Sequence, residues 1–127
     1  MTVDRGAAPL EHDLQKLAAY GIEELIGATS VLRSELDVHE ATCRRVLDEV
    51  RVDHGVTGVL ADVRADAWRA AVTDSIRGFE SARHRVLLVL VAMEVQEGRS
   101  IGEVAKAWGV SRQLASRWVQ ESSDLRE

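Results

Sequence analysis

After Leu10, apolar or small residues recur at Leu14, Ala18, Gly21, Leu25, Ala28 and Leu32. That rhythm of fours and threes is one face of an α-helix. No proline interrupts it downstream, because the only proline in 127 residues is Pro9. Proline is the residue that most reliably breaks a helix interior, by removing a donor and clashing with the preceding turn. No stretch alternates apolar and polar residues over a strand's length. Aromatics are 4% against 46% hydrophobic residues overall, so the interior must be built of Ala, Val and Leu. An all-α fold is expected: long N-terminal helices forming a bundle or dimerisation region, followed by a compact unit of three helices.

The pattern predicts the following segments. Residues 1–8 are a loose tail, and Pro9 sits in a first helical turn, where its missing donor costs nothing. The first stripe pauses at Ser34–Asp37, where Asp37 and Glu40 have the form of a capping box. A second stripe then runs through Ala41, Val46, Leu47 and Val50. An unbroken helix from about Leu10 to Asp53 is the alternative, and the broken form is preferred. Gly21 and Gly27 mark either close packing against another helix or simple drift. His54-Gly55-Val56-Thr57-Gly58 reads as a turn with Thr57 as a candidate cap. A third helix spans Val59 to Arg77 with Leu60, Val63, Ala67, Ala71 and Ile76 inward, and Gly78 is a weak point. The fourth spans Phe79 to Glu97 and contains the run VLLVLVAM, Val86 to Met93, before Gly98 stops it. Eight apolar residues fall short of the roughly 20 that a membrane span needs, so that run reads as a helix buried on nearly all sides. A polar tail is expected from Ser122.

Charge separates the two ends of the chain. The net charge is −5, yet residues 1–80 carry 15 acidic and 9 basic side chains while residues 81–127 carry 6 and 7. Between Arg99 and Val119 stand Arg99, Lys106, Arg112 and Arg117 against a single anion, Glu103. Screening confines charge effects to about 8–10 Å, so a partner meets this local excess rather than the average. Cys43 is the only cysteine, which excludes an internal disulfide and fits a reducing, cytoplasmic compartment. The start, MTVDRGAAPLEHD, lacks the basic and apolar parts of a secretory signal. His39 and Cys43 lie one helical turn apart in HEATC, but two ligands are too few for a metal. His12, His54 and His84 are scattered among polar neighbours and read as surface residues. No HExxH, phosphate-cradling glycine loop or GxSxG occurs. Neither catalysis, nor a metal, nor a cofactor is expected.

The stretch EVAKAWGVSRQLASRW, Glu103 to Trp118, reads as two short helices around a glycine. A tight helix–turn–helix needs a small residue where the backbones approach and a permissive residue in the turn. Ala105 and, four residues on, Gly109 supply them. Ile101, Val104, Trp108, Val110, Ala115 and Trp118 form the inward pattern, and Ser111 is placed to cap the second helix. The segment GVSRQLASRWV, Gly109 to Val119, resembles the recognition segment of homeodomain-like helix-turn-helix domains in bacterial regulators, recombinases and transposases, and is similar to that of many actinobacterial regulators. The resemblance covers about Arg83 to Glu121. Ala115 stands where such motifs usually carry Val or Ile, and Leu114 where a small or polar residue is common; Trp108 and Trp118 are placed to fill the volume that Ala115 gives up.

The resemblance implies a partner, double-stranded DNA, with a recognition helix at about 111–120 in the major groove. Arg112 would then offer two donors to guanine, and Gln113 would pair with adenine. Ser116 and Arg117 lie one turn on, suited to phosphate or a further base, and Leu114 is suited to a thymine methyl. Ser111, Arg99 and Lys106 would contact the DNA backbone. Regulators of this kind read paired half-sites about 34 Å apart, so a homodimer is expected, assembled through an acidic helical region, 1–78, joined to a DNA-binding domain, 79–127. The expected role is a sequence-specific transcriptional regulator at the nucleoid. The alternatives are a helical adaptor that docks a protein partner, for which the acidic N-terminal region is suited, and a phage- or transposon-related DNA-binding protein.

Overall fold

The computed structural model describes the backbone of residues 4–52 and 55–126 and the side chains of residues 13–52 and 55–125. The chain is all-α. Among the described residues six helices follow in order: α1 (Asp4–Arg51), α2 (Thr57–Asp62), α3 (Ala65–Gln96), α4 (Ile101–Trp108), α5 (Arg112–Glu121) and α6 (Ser123–Arg126). No strand occurs among the described residues, and no described helix is long and apolar enough to cross a membrane.

The preferred break at Ser34–Asp37 does not form, and α1 runs unbroken through it. The residues there are neither glycine nor proline, so a potential cap at Asp37 has no backbone interruption to cap. Asp4 to Ala8, expected as a loose tail, are helical, and Pro9 lies beyond the first turn. Residues 1–3 of that tail are outside the described residues. Gly78 likewise interrupts nothing, since α3 passes straight through it. The interruption falls instead at Arg64, which holds a left-handed φ of 54° between α2 and α3. Restarting the helix at Ala65 shifts its phase. Ala67, Ala71 and Ile76, expected inward, are exposed, and Trp68, Val72 and Phe79 turn towards the interior instead. Thr57 is not a cap: it is the first residue of α2, and the capping position is Val56, which has no side-chain hydrogen bond to offer.

The chain divides into two compact units, one of Met1–Leu25 with Ala82–Glu127 and one of Ile26–Ser81. In the second, α2 contributes the buried Val59, and the Trp68 indole donates to His39 Nδ1 at 2.9 Å. An indole can only donate, so His39 Nδ1 accepts this bond, and Nε2 of the same ring lies 3.5 Å from Cys43 Sγ. The HEATC pair is thus tied to a tryptophan. The unit leaves much apolar surface uncovered: Ile26 is 64% exposed and Val38 59%, and Leu47 and Val50 are exposed too.

In the first unit, Leu14 and Ala18 of α1 are buried, as are Ala82, Val86 and Val89 of α3. Gly21 lies against α3, a Cβ there meeting Val86 Cγ2 at 3.5 Å, whereas Gly27 faces open space. Every residue of the run Val86 to Met93 is buried or half-buried. Gly98 ends the helix with φ 90°. Its amide donates to Val95 O at 2.9 Å and that of Arg99 donates to Glu94 O at 3.1 Å, the paired bonds of a Schellman stop.

Gly109 ends α4 in the same way, with φ 67° and ψ 38°. The Gly109 amide donates to Lys106 O at 3.3 Å and that of Val110 to Ala105 O at 3.0 Å. A Cβ at Gly109 would meet nothing within 4 Å, so the demand is conformational and not spatial. Gly109→Ala is therefore expected to lower stability by about 1 kcal/mol, with Gly109→Asn costing less, as chemical denaturation will measure. Equal stability of all three proteins would show that the left-handed turn is not required.

Candidate nucleic-acid interface

Val91 of α3, Val104 and Ala105 of α4 and Ala115 of α5 form one buried cluster, against which Leu87, Trp108, Val110, Trp118 and Val119 pack. The expected inward positions of the segment thus converge on a shared core, with one exception. Ile101 stands at the rim, 36% exposed, because the inward face of α4 runs through Val104, Ala105 and Trp108 and its first residue projects beyond it. Trp108 and Trp118 meet edge to face, with ring centroids 6.1 Å apart and planes at 79°. Such pairs contribute beyond their buried area. The Trp108 indole donates to Glu94 Oε1 at 2.6 Å, which ties α4 to the end of α3. Ala115 is fully buried, in the cluster against which both rings pack.

The entry to each short helix is fixed by a serine. Ser111 Oγ accepts from the Leu114 amide at 3.1 Å and thereby caps α5. Ser100 caps α4, its hydroxyl accepting from the Glu103 amide at 3.2 Å while its own amide donates to Glu103 Oε1 at 2.9 Å. This capping box carries the signature Ser-x-x-Glu, and it forms where the similar Asp37–Glu40 pair does not, because Gly98 has already ended the preceding helix. Glu103 is consequently not a free anion in the cationic stretch. The hydrogen bonds from the Ser100 amide and hydroxyl, with a smaller contribution from Arg99, hold its carboxyl below the usual glutamate range. A carboxylate with a lowered folded-state pKa stabilises at neutral pH and loses that contribution as acid titrates it. Between about pH 6 and about pH 3 the unfolding free energy should fall less steeply in Glu103→Gln than in the parent; parallel curves would show that the box is not populated.

At the far end of α5, Ser122 is no part of a tail. It is fully buried, its hydroxyl donates to Val119 O at 2.8 Å, and α6 follows directly. Glu121 Oε2 lies 3.1 Å from His84 Nε2 of α3. His84 is exposed as expected, whereas the side chain of His12 and the whole of His54 lie outside the described residues. Among the described residues no three His, Cys, Asp or Glu side chains gather as a metal site would require.

The outward side of this framework is cationic and polar. Arg112, Gln113, Ser116 and Arg117 are all exposed on α5, Lys106 is exposed on α4, and Ser111 and Arg99 are exposed ahead of them. The spacing of 112, 113, 116 and 117 places the four on one face. The Arg112 guanidinium carbon comes within 4.0 Å of where a Cβ on Gly102 would stand, so its side chain reaches over the first turn of α4. Arg99 is 3.8 Å from Glu103 Oε2, a long and exposed pair of little energetic consequence. Lys106, Arg112 and Arg117 form no ion pair among the described residues. Leu114 is half-buried, which leaves only part of it for an apolar contact. Comparison with protein-family models, with curated proteins and with solved structures gave no significant match to this chain.

Proposed function

We propose that this protein is a sequence-specific transcriptional regulator that binds double-stranded DNA through α5 as a homodimer. The observation that carries the proposal is the row Arg112, Gln113, Ser116 and Arg117, exposed on a helix whose opposite face, at Ala115, is locked into a core. A side chain held out by a rigid element can match the fixed donors and acceptors of a base edge, where a mobile one loses that match to entropy. The residue types suit base reading, since arginine is the commonest reader of guanine and glutamine suits adenine. The capped start of α5 has no acidic residue in its first turn, which leaves its amide dipoles unopposed for a phosphate. Lys106 on α4 and Arg99 ahead of it are suited to flanking phosphates.

Dimerisation accounts for the apolar surface that the unit Ile26–Ser81 leaves uncovered. Side chains such as Ile26 and Val38, well over half exposed, are the kind that a second copy buries. The acidic residues that dominate the N-terminal region then repel phosphate and disfavour docking in other orientations.

Selection of bound genomic fragments, followed by a salt titration on the selected site, tests the proposal. The logarithm of the affinity should fall linearly with that of salt, at roughly 0.9 per phosphate neutralised. Absence of selected fragments and of DNA binding at low salt would overturn it and leave the adaptor reading in its place. The genomic position of the selected sites separates a local regulator from a phage- or transposon-related binder.

A further inference from the structure

Within the unit of Met1–Leu25 and Ala82–Glu127, α1, α3 and the end of the chain enclose a groove of about 390 Å³. Its apolar lining is the buried Val89, the half-buried Leu88 and Leu125, and the exposed Leu17. Glu24, Asp124 and Arg85 also line it, as does Glu121, whose Oε2 lies 3.1 Å from His84 Nε2. Tyr20, beside them, is 64% exposed and offers an aromatic face. We propose that this groove binds a lipophilic organic cation, a molecule with an apolar body and a single diffuse positive charge.

The charge of the occupant follows from complementarity. Glu24 and Asp124 outnumber Arg85 beside the apolar lining and so favour a cation over an anion, while the tyrosine ring attracts a cation across its face. An apolar body covers that lining, whose leucines gain by leaving water. The volume lies in the lower part of the range of small-molecule sites, about 300–1,000 Å³. A docked amphipathic helix needs a longer trough, with anchors at successive turns, so a small ligand fits better than a basic peptide.

The position of the groove gives it a consequence. Glu121 is the last residue of α5, and Asp124 and Leu125 belong to α6, which is joined to α5 through the buried Ser122. An occupant therefore touches the same short helix whose other end carries Arg112, and binding at one end biases the ordering of the other. Coupling to DNA rests on the function proposed above; ligand binding does not.

Calorimetry on the full chain without DNA tests the site using tetraphenylphosphonium and its near-isosteric anion, tetraphenylborate. The phosphonium should bind saturably with one site per chain, and the borate should not. Glu24→Gln combined with Asp124→Asn removes charge at constant shape and should weaken the phosphonium about five- to tenfold. Leu88→Trp, which fills the groove, should abolish binding while circular dichroism remains helical. No saturable heat from the phosphonium, equal binding of the borate, an unaltered affinity in the charge-removed variant, or binding of a basic amphipathic peptide in place of the phosphonium would each overturn the proposal. A positive result here with no DNA bound under any condition would refute the DNA reading alone.

Discussion

Trp108→Ala is expected to lower the stability of the protein by about 3 kcal/mol, the lower end for removing a core tryptophan because the ring is only half-buried. Three losses combine. The ring leaves the cluster of Val91, Val104, Ala105 and Ala115, its edge-to-face partner Trp118 loses a neighbour 6.1 Å away, and Glu94 loses its indole donor at 2.6 Å. The cluster against which the ring packs is built of small side chains with little reach to fill the space, so a cavity is expected to persist. Trp108→Phe should recover part of the apolar contribution and none of the hydrogen bond, and so fall between the two. Urea denaturation of the three proteins measures this order. A loss below about 1 kcal/mol for the alanine variant would mean that the tryptophan covers the surface of α4 without organising its core.

Arg112→Ala is expected to cost about 1–3 kcal/mol on the selected DNA site and to relax preference at one base pair. Its side chain is exposed, so the substitution should leave folding almost untouched, which separates it from Trp108→Ala. Arg112→Lys should recover charge without the paired donors and therefore restore general affinity more than preference. Lys106→Ala should weaken all sequences alike and reduce the salt slope by about one. If Arg112→Ala alters neither affinity nor preference, α5 is not the helix that reads the bases.

The helical class was legible because its signals are local and redundant. Ala105, Gly109 and Ser111 each satisfy a steric or hydrogen-bonding demand set by neighbours a few residues away, and each does so in the structure. The outward set from Arg112 to Arg117 follows from the same periodicity. The capping box of Ser100 and Glu103 was equally local, and its signature stands in the chain beside the helix stop at Gly98. What the chain did not announce was set by distant contacts or by single residues in unusual roles. Whether α1 continues beyond Ser34 depends on the balance between a modest local cap and the contacts of a whole helix, and the pattern weighs only the first. The phase of α3 turned on Arg64, an arginine in a conformation usually left to glycine, which no propensity would single out. Ser122 looked like part of a polar tail because serine is usually exposed. It is buried because its hydroxyl finds a carbonyl in the preceding turn. The groove beside Tyr20 gathers residues from opposite ends of the chain, a neighbourhood that no short window contains.

The division of the chain also constrains how it is born. Leu14 and Ala18 of α1 belong with residues beyond Ala82, so a ribosome completes all of Ile26–Ser81 before their eventual companions emerge. During that interval the nascent helix must keep two apolar side chains in water or in temporary company, the circumstance in which unfinished chains recruit chaperones. Closure of this unit joins segments far apart along the chain, and such late, long-range joining slows folding relative to a simple hairpin of helices.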